Sequence, residues 1–250
     1  NYRDISEKGT EVRTGTQYTP DGSPNLSDLT FLPKAGFTGS VQIGYEGTDS
    51  RGKTFRGQIR IQVNQGSGSR YFQDMGSYAW AAPYVDLLYE AGVITGTGGQ
   101  RYRPADAVSR GDFMLMLYRA FQLTPASGAG FPDVPPGSYY AQAIQAARAA
   151  GIASGYPDGG FHPQEPVTRQ DAMVLLERTM QATGWSLGAA NTGYLSGFRD
   201  GGMVAPYAQE AMSHMIEYGI ITGTPEQKLN PIQSISRAEM ALMLARAITF

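Results

Sequence analysis

The chain contains no cysteine, and that absence removes three classes of chemistry at once. There is no disulfide framework, no thiolate nucleophile and no cysteine-ligated metal centre. It does not locate the chain, because secreted and cytosolic proteins alike can do without thiols. An excess of charge is also missing. Lys and Arg total 20 against 22 Asp and Glu, a formal net charge of −2. This argues against nucleic acid or an anionic membrane as a bulk electrostatic partner, so any anion recognition must be local. No apolar run approaches the roughly 18 residues a membrane span requires. The sequence opens on Asn1 instead of Met and carries no secretion signal, so it is read as a piece of a longer chain.

What the sequence does have is repetition. Val108-Ser109-Arg110-Gly111-Asp112 returns as Val167-Thr168-Arg169-Gln170-Asp171 and as Ile235-Ser236-Arg237-Ala238-Glu239. Each copy precedes an apolar run, and a hydroxyl three residues before an acid ahead of such a run is a capping box. The box accounts for the hydroxyl and the acid but not for the arginine. A cation in the first helical turn lies at the wrong end of the macrodipole, so helix stability does not select it. Other residues keep fixed distances from it. Gly92, Gly151 and Gly219 lie 18 positions before (110−92, 169−151, 237−219), and Pro104, Pro163 and Pro231 lie six before (110−104, 169−163, 237−231). Trp80, Tyr139 and Tyr207 stand 12 before those glycines (92−80, 151−139, 219−207). Phe72-Gln73-Asp74, Phe131-Pro132-Asp133 and Phe198-Arg199-Asp200 come just upstream. This is an internal triplicate of about fifty residues per copy.

Residues 1–64 differ in kind. Short alternating runs at Leu29 to Leu32, Val41 to Tyr45 and Gln58 to Val63 predict antiparallel strands, with Asp49-Ser50-Arg51-Gly52 as a hairpin turn. The stretch Leu29 to Gly39 resembles the cadherin-like or immunoglobulin-like modules of bacterial surface proteins, which implies a small all-β, sandwich-like spacer, short of some strands. Asn64 to Arg70 reads as a flexible linker by composition. The expected organisation is therefore 1–64 spacer, 65–71 linker, then repeats at 72–123, 131–183 and 198–250.

Within a repeat, the spacing predicts helix, loop, helix. In copy one Trp80, Tyr84, Leu87, Leu88 and Ala91 fall on one helical face. Copy two has Ile144, Ala147 and Ala150, and copy three has Ala208, Ala211, Met212, Met215 and Ile216. The glycine that follows each run is a C′ cap. Two helices of about eleven residues cannot bury their apolar faces alone, so the copies must pack on one another. The spacing between copies widens from 59 (151−92) to 68 (219−151), with the extra residues at Thr183 to Gly197. An elastic connection there would let the third copy travel further, as in closing a ring.

The set Phe-x-Asp, Gly-Ile-x-x-Gly, Tyr156-Pro157-Asp158-Gly159-Gly160-Phe161-His162-Pro163 and Val-Thr-Arg-Gln-Asp resembles the S-layer homology family over about residues 72–250. The resemblance implies a mainly α fold, a pseudo-threefold cloverleaf of three repeats around a central helical bundle. It also implies noncovalent anchoring of a surface protein to the wall of a Gram-positive bacterium, through a pyruvylated secondary cell wall polysaccharide linked to peptidoglycan. The family's Thr-Arg-Ala-Glu motif falls on Ser109 to Asp112, Thr168 to Asp171 and Ser236 to Glu239, with Ser for Thr in two copies and Gly or Gln for Ala. No cofactor, metal, nucleic acid or membrane is implied, and any self-association would reside in the upstream S-layer region.

The chemistry suits that expectation. A pyruvyl ketal presents a carboxylate on a sugar; a guanidinium fork binds it bidentately, and amides at a helix N-terminus add donors. The candidate ligand-binding residues are Arg110, Arg169 and Arg237 with their caps Ser109, Thr168 and Ser236. Asp74, Asp133 and Asp200 are added as acceptors, Trp80, Tyr139 and Tyr207 as stacking rings, and Gly92, Gly151 and Gly219 for close approach. The blander readings are an interhelical salt bridge for the arginines, a turn or cap for the aspartates, core for the aromatics and C-caps for the glycines. His162 and His214 occupy non-equivalent positions, which favours packing or surface roles over catalysis. Gly111 would leave room for a sugar in copy one, and Glu226 would oppose an anion in copy three, so Arg237 is expected to matter least. Two alternatives stay open. A glycosidase would need paired carboxylates in a cleft, and the acids here are already accounted for by caps and repeats. A protein-interaction module of a surface adhesin would ignore wall polymer, whereas the anchor of a wall-tethered exoenzyme would bind it.

Overall fold

The computed structural model describes residues 2–7, 10–11, 29–33, 39–48, 51–63, 68–128 and 130–249. They divide into two units, Asn1–Ser67 and Gly68–Phe250.

In the first unit β1 (Tyr2–Glu7) pairs antiparallel with both β2 (Thr10–Glu11) and β3 (Leu29–Pro33). Strands β4 (Gly39–Thr48) and β5 (Thr54–Val63) form a second antiparallel pair. Their register sets Val41 opposite Ile61 and Ile43 opposite Ile59. The β-branched residues thus share one face while Gln42 and Arg60 point to water. Both strands run longer than the alternating runs suggest, and β1 and β2 lack any run to reveal them. Of the expected turn Asp49 to Gly52, residues 49 and 50 lie outside the described residues.

The second unit holds the repeats. Copy one contributes α1 (Ala82–Glu90) and α2 (Arg110–Ala120), copy two α3 (Ala141–Ala149) and α4 (Arg169–Ala182), copy three α5 (Gln209–Glu217) and α6 (Arg237–Ile248). The first helix of each copy ends at its glycine, with φ of +70° at Gly92, +72° at Gly151 and +62° at Gly219. That left-handed turn lets the next amide reach back, as Val93 N–H does to the Leu88 carbonyl at 2.9 Å.

The buried face of α1 differs from the expected one. Ala82, Val85 and Leu88 are buried with Ala81, whereas Trp80 and Leu87 are about two-fifths exposed and Ala91 is exposed. The helix starts at Ala82, with Pro83 in its first turn, so Trp80 lies ahead of it and outside its period. In copy two Ile144 and Ala147 are buried but Ala150 is exposed; in copy three the expected stripe is buried apart from a half-buried Ile216.

The second helix of each copy packs on the first helix of the next: α2 on α3, α4 on α5 and α6 on α1. Just ahead of the second helices the Val108 amide donates to the Ile235 carbonyl at 3.0 Å, Ile235 to Val167 at 3.1 Å, and Val167 back to Val108 at 2.9 Å. The three bonds close a ring. The connection 184–197 is not an elastic spacer. It buries Leu187 and Leu195, holds a 3-10 turn at Thr192–Gly197 and packs on α5, with the Tyr218 hydroxyl donating to the Leu187 carbonyl at 3.0 Å. Of the expected linker, residues 64–67 lie outside the described residues and the last ones are tied down. Ser69 Oγ accepts from the Tyr71 and Phe72 amides at 3.0 Å, and Ser69 and Arg70 both bond Asp86, which is buried on α1.

Candidate functional site at the junctions between repeats

The three motifs meet their neighbours at equivalent places. Ser109, Thr168 and Ser236 are N-caps, accepting from the amides of Asp112, Asp171 and Glu239 at 3.1, 3.2 and 3.3 Å. Only copy three completes the capping box, with the Ser236 amide donating to Glu239 Oε2 at 2.9 Å. The shorter carboxylates of the other copies turn outward to the next repeat. Tyr139 donates its hydroxyl to Asp112 at 2.7 Å and Tyr207 to Asp171 at 2.8 Å. Burial and these hydrogen bonds to a carboxylate push both phenols up to about 12.

The first two amides of each motif helix are already taken. Arg110 and Gly111 donate to the Glu165 and Pro163 carbonyls, Arg169 and Gln170 to Gln233 and Pro231, Arg237 and Ala238 to Asp106 and Pro104, all at 2.8 to 3.0 Å. This corrects the expectation that helix N-terminal amides would add donors to a bound anion: the neighbour's carbonyls fill that role. It also explains the proline six positions before the arginine, whose carbonyl receives the N–H of another copy. Gly111 likewise leaves no room for a sugar. A Cβ there would lie 3.0 Å from both the Pro163 carbonyl oxygen and Tyr140 Cδ1.

The arginines cross the junctions too. Arg110 is buried, its Nε donates to the Phe161 carbonyl at 3.1 Å, and its guanidinium lies 4.7 and 5.0 Å from the Tyr156 and Phe161 ring centroids. Its Nη1 is 3.9 Å from Asp171, the edge of ion-pair range. Arg169 behaves differently. The position equivalent to Phe161 is Leu229, which offers no ring, and the guanidinium pairs with Glu239 and touches Met243 Sδ at 3.6 Å. Arg237 returns to copy one, with Nε to the Tyr102 carbonyl at 2.7 Å, Nη2 to the Thr95 carbonyl at 3.1 Å, and the Tyr102 ring 4.5 Å below. The salt-bridge reading therefore holds for Arg169, marginally for Arg110, and not for Arg237, which has no ion pair among the described residues.

The aspartates are clamps. Asp74 accepts from the Tyr102 and Arg103 amides at 2.9 and 2.8 Å, Asp133 from Phe161 and His162, and Asp200 from Leu229 and Asn230. The second residue of each pair is left-handed, with φ of +56°, +58° and +51°. Burial opposes the charge on Asp74 and Asp133, yet the amide bonds prevail and hold both carboxyls below the ordinary value. By fixing this loop the clamp presents the carbonyls of Tyr102 and Phe161 to the arginines.

Trp80, Tyr139 and Tyr207 are not core, at 41%, 67% and 59% exposed. The Tyr139 and Tyr207 rings stand at junctions, where their hydroxyls bond the preceding copy, and the Trp80 ring lies 6.2 Å from that of Tyr78 in its own copy. Gly92, Gly151 and Gly219 are C-caps, and a Cβ on Gly92 or Gly151 would meet nothing within 4 Å. His162 lies between Glu165 at 2.8 Å and Asp158 at 2.7 Å against Tyr156, and hydrogen bonds to those two carboxylates raise its pKa. His214 is buried, with Nδ1 2.5 Å from Glu177. Among the described residues no group of His, Asp or Glu is placed to hold a metal. A cavity of about 470 Å³ beside the first junction is lined by Asp133, Tyr140, His162, Pro163, Gln164 and Glu165, with Pro135. A second, of about 380 Å³, lies on copy one beside Tyr71, Tyr89 and Arg101, where Arg70 is already paired with Glu90. Sequence reasoning missed Tyr102, Tyr156, Phe161 and the Thr95 carbonyl as partners of the arginines. Aromatics eight positions before Arg110 and Arg169 were visible (110−102, 169−161), but each serves the arginine of a different copy.

Comparison with known proteins agrees with this repeat architecture. The chain is 29% identical over 180 residues to the Surface-layer 125 kDa protein of Lysinibacillus sphaericus, covering 71% of this chain and 14% of that protein. It is 28% identical over 174 residues to an Endoglucanase of Bacillus sp. (strain KSM-635), covering 70% of this chain and 18% of the enzyme. It is 24% identical over 182 residues to an S-layer protein of Bacillus thuringiensis subsp. finitimus, covering 72% and 21%. The chain thus spans under a quarter of the length of each of these relatives. The S-layer homology domain matches at residues 71–114, 130–173 and 197–241, together more than half of the chain, so the chain belongs to the S-layer homology domain family, in three tandem copies.

Proposed function

We propose that residues 68–250 anchor a surface protein noncovalently to the bacterial cell wall, by binding carboxylate groups of a pyruvylated secondary wall polysaccharide in the grooves between repeats. The reading assigns no catalytic step to this chain. One observation carries it. Arg237 is 9% exposed, and its guanidinium is held by two carbonyl oxygens over a ring, with no carboxylate in ion-pair range among the described residues. A buried cation without a counter-charge is costly, and an arriving carboxylate relieves that cost while gaining a charge-assisted bond. The exposed rings of Tyr139 and Tyr207 border junctions, and they and the exposed ring of Trp80 suit stacking on a sugar's apolar face. In this reading the copies form a pseudo-threefold cloverleaf around the second helices, and residues 1–64 are a sandwich-like spacer.

The relatives include both surface-layer proteins and an endoglucanase. An anchor serves a lattice protein and a tethered exoenzyme equally, so the parent's own activity would reside elsewhere. The test is calorimetric titration of the chain with native and chemically depyruvylated wall polymer. Binding to native polymer and severe weakening by depyruvylation are expected; undiminished binding to stripped polymer would refute the carboxylate as the determinant.

A further inference from the structure

Three junctions of one design do not have three equal arginines. Around the ring, the arginines differ in how far each pairs with the acid of the following motif. Arg237 makes no ion pair with Asp112, Arg110 approaches Asp171 to 3.9 Å, and Arg169 is fully paired with Glu239. Two differences of sequence produce the last case. Glu239 has one methylene more than Asp112 and Asp171, and so spans the gap from its own helix to the neighbour's guanidinium. Leu229 stands where Tyr102 and Phe161 supply a ring, so Arg169 has no face to lie on and swings to the carboxylate.

Resting on the anchoring role proposed above, we infer that Glu239 is the specificity-determining residue that closes the junction between copies two and three. Its carboxylate occupies the position a ligand carboxylate would take. One oxygen meets Arg169 Nη2, and the other accepts from the Ser236 amide at 2.9 Å and the Ser236 hydroxyl at 2.8 Å. The carboxylate is therefore held from both sides. An incoming carboxylate of similar chemistry has to displace a tethered one, whose effective concentration is millimolar or above. A weak monosaccharide ligand does not win that exchange. The chain accordingly offers two working junctions, those of Arg110 and Arg237, and a third kept shut by its own side chain.

The capping box makes a clean test available, because glutamine fills its acid position as well as glutamate does. Glu239→Gln keeps the acceptor for the Ser236 amide and removes the charge from Arg169. The probe is the methyl glycoside of a pyruvyl-ketal hexose, titrated calorimetrically and counted by native mass spectrometry. The natural chain should take up two equivalents and Glu239→Gln three, with Arg169→Ala in the Gln background returning the count to two. Glu239→Asp, which restores the length found in the other copies, should also give three, and it serves if the Gln variant melts early. A count of three in the natural chain, or of two in both folded variants, overturns the inference. No uptake by any of them, beside a positive control, counts instead against the anchoring reading itself.

Discussion

Replacing Arg237 with alanine separates the chemistry of the junction from its architecture. In the unliganded chain the substitution removes two hydrogen bonds to the Tyr102 and Thr95 carbonyls and a ring contact at 4.5 Å. Together these are worth about 4 kcal/mol, but the same change removes an unbalanced buried charge, which offsets most of the loss. A net cost of about 1 kcal/mol lowers the melting temperature by roughly 2–4 °C for a unit of this size. The effect on the ligand is larger. A charged hydrogen-bonded contact contributes about 2–3 kcal/mol, which is about a 30- to 150-fold rise in Kd at that junction. Calorimetry with the monomeric pyruvylated sugar, alongside thermal melting, measures both. Arg169→Ala is the comparator, since its guanidinium already has a partner in Glu239 and its loss should leave sugar binding unchanged. This inverts the order expected from sequence, in which Arg237 mattered least. Unchanged binding in Arg237→Ala, or a greater loss in Arg169→Ala, would refute the reasoning.

Further outcomes follow from the scaffold. Asp74→Ala leaves the Tyr102 and Arg103 amides without their acceptor and should cost about 2 kcal/mol in a denaturant melt, with a secondary loss of binding at the Arg237 junction. Because the folded carboxyls of Asp74 and Asp133 sit below their ordinary value, their stabilisation is present above pH about 4 and fades as pH falls through the lowered folded values. Melting curves of the natural chain and Asp74→Asn should therefore converge towards pH 2, and a constant gap would contradict the clamp. Deleting residues 198–250 removes α5 and α6 and exposes the faces they cover on α4 and α1. That fragment should aggregate in size-exclusion chromatography, whereas a fragment of residues 68–250 should bind like the full chain. Ser109→Ala should cost about 1 kcal/mol through its lost cap.

Much of this was legible because the chain states its rules three times. The caps at Ser109, Thr168 and Ser236, the C′ glycines and the helix-loop-helix order all follow from local chemistry, and local chemistry is what a sequence displays. The arginines escaped that logic. Nothing in Val167 to Asp171 reveals that Arg169 will find a glutamate seventy positions away (239−169), or that Arg237 will lie on a tyrosine of the first copy. Aligning the copies places like with like, whereas the contacts run from each copy to the next. The same blindness made Gly111 look like open space, since the ring that fills it comes from Tyr140. Trp80 misled for a simpler reason: it kept the helical period while standing outside the helix.

The ring closed by Val108, Ile235 and Val167 has a consequence for how such a protein can grow. A stacked array ends in two free faces, so it can gain or lose a copy and merely move its ends. Here every copy has both a predecessor and a successor, and the last copy's successor is the first. A single added copy would have no junction to enter without breaking one, and a lost copy would leave two faces that do not fit each other. Genetic duplication can therefore lengthen this anchor only by whole rings of three, each a separate grip on the wall.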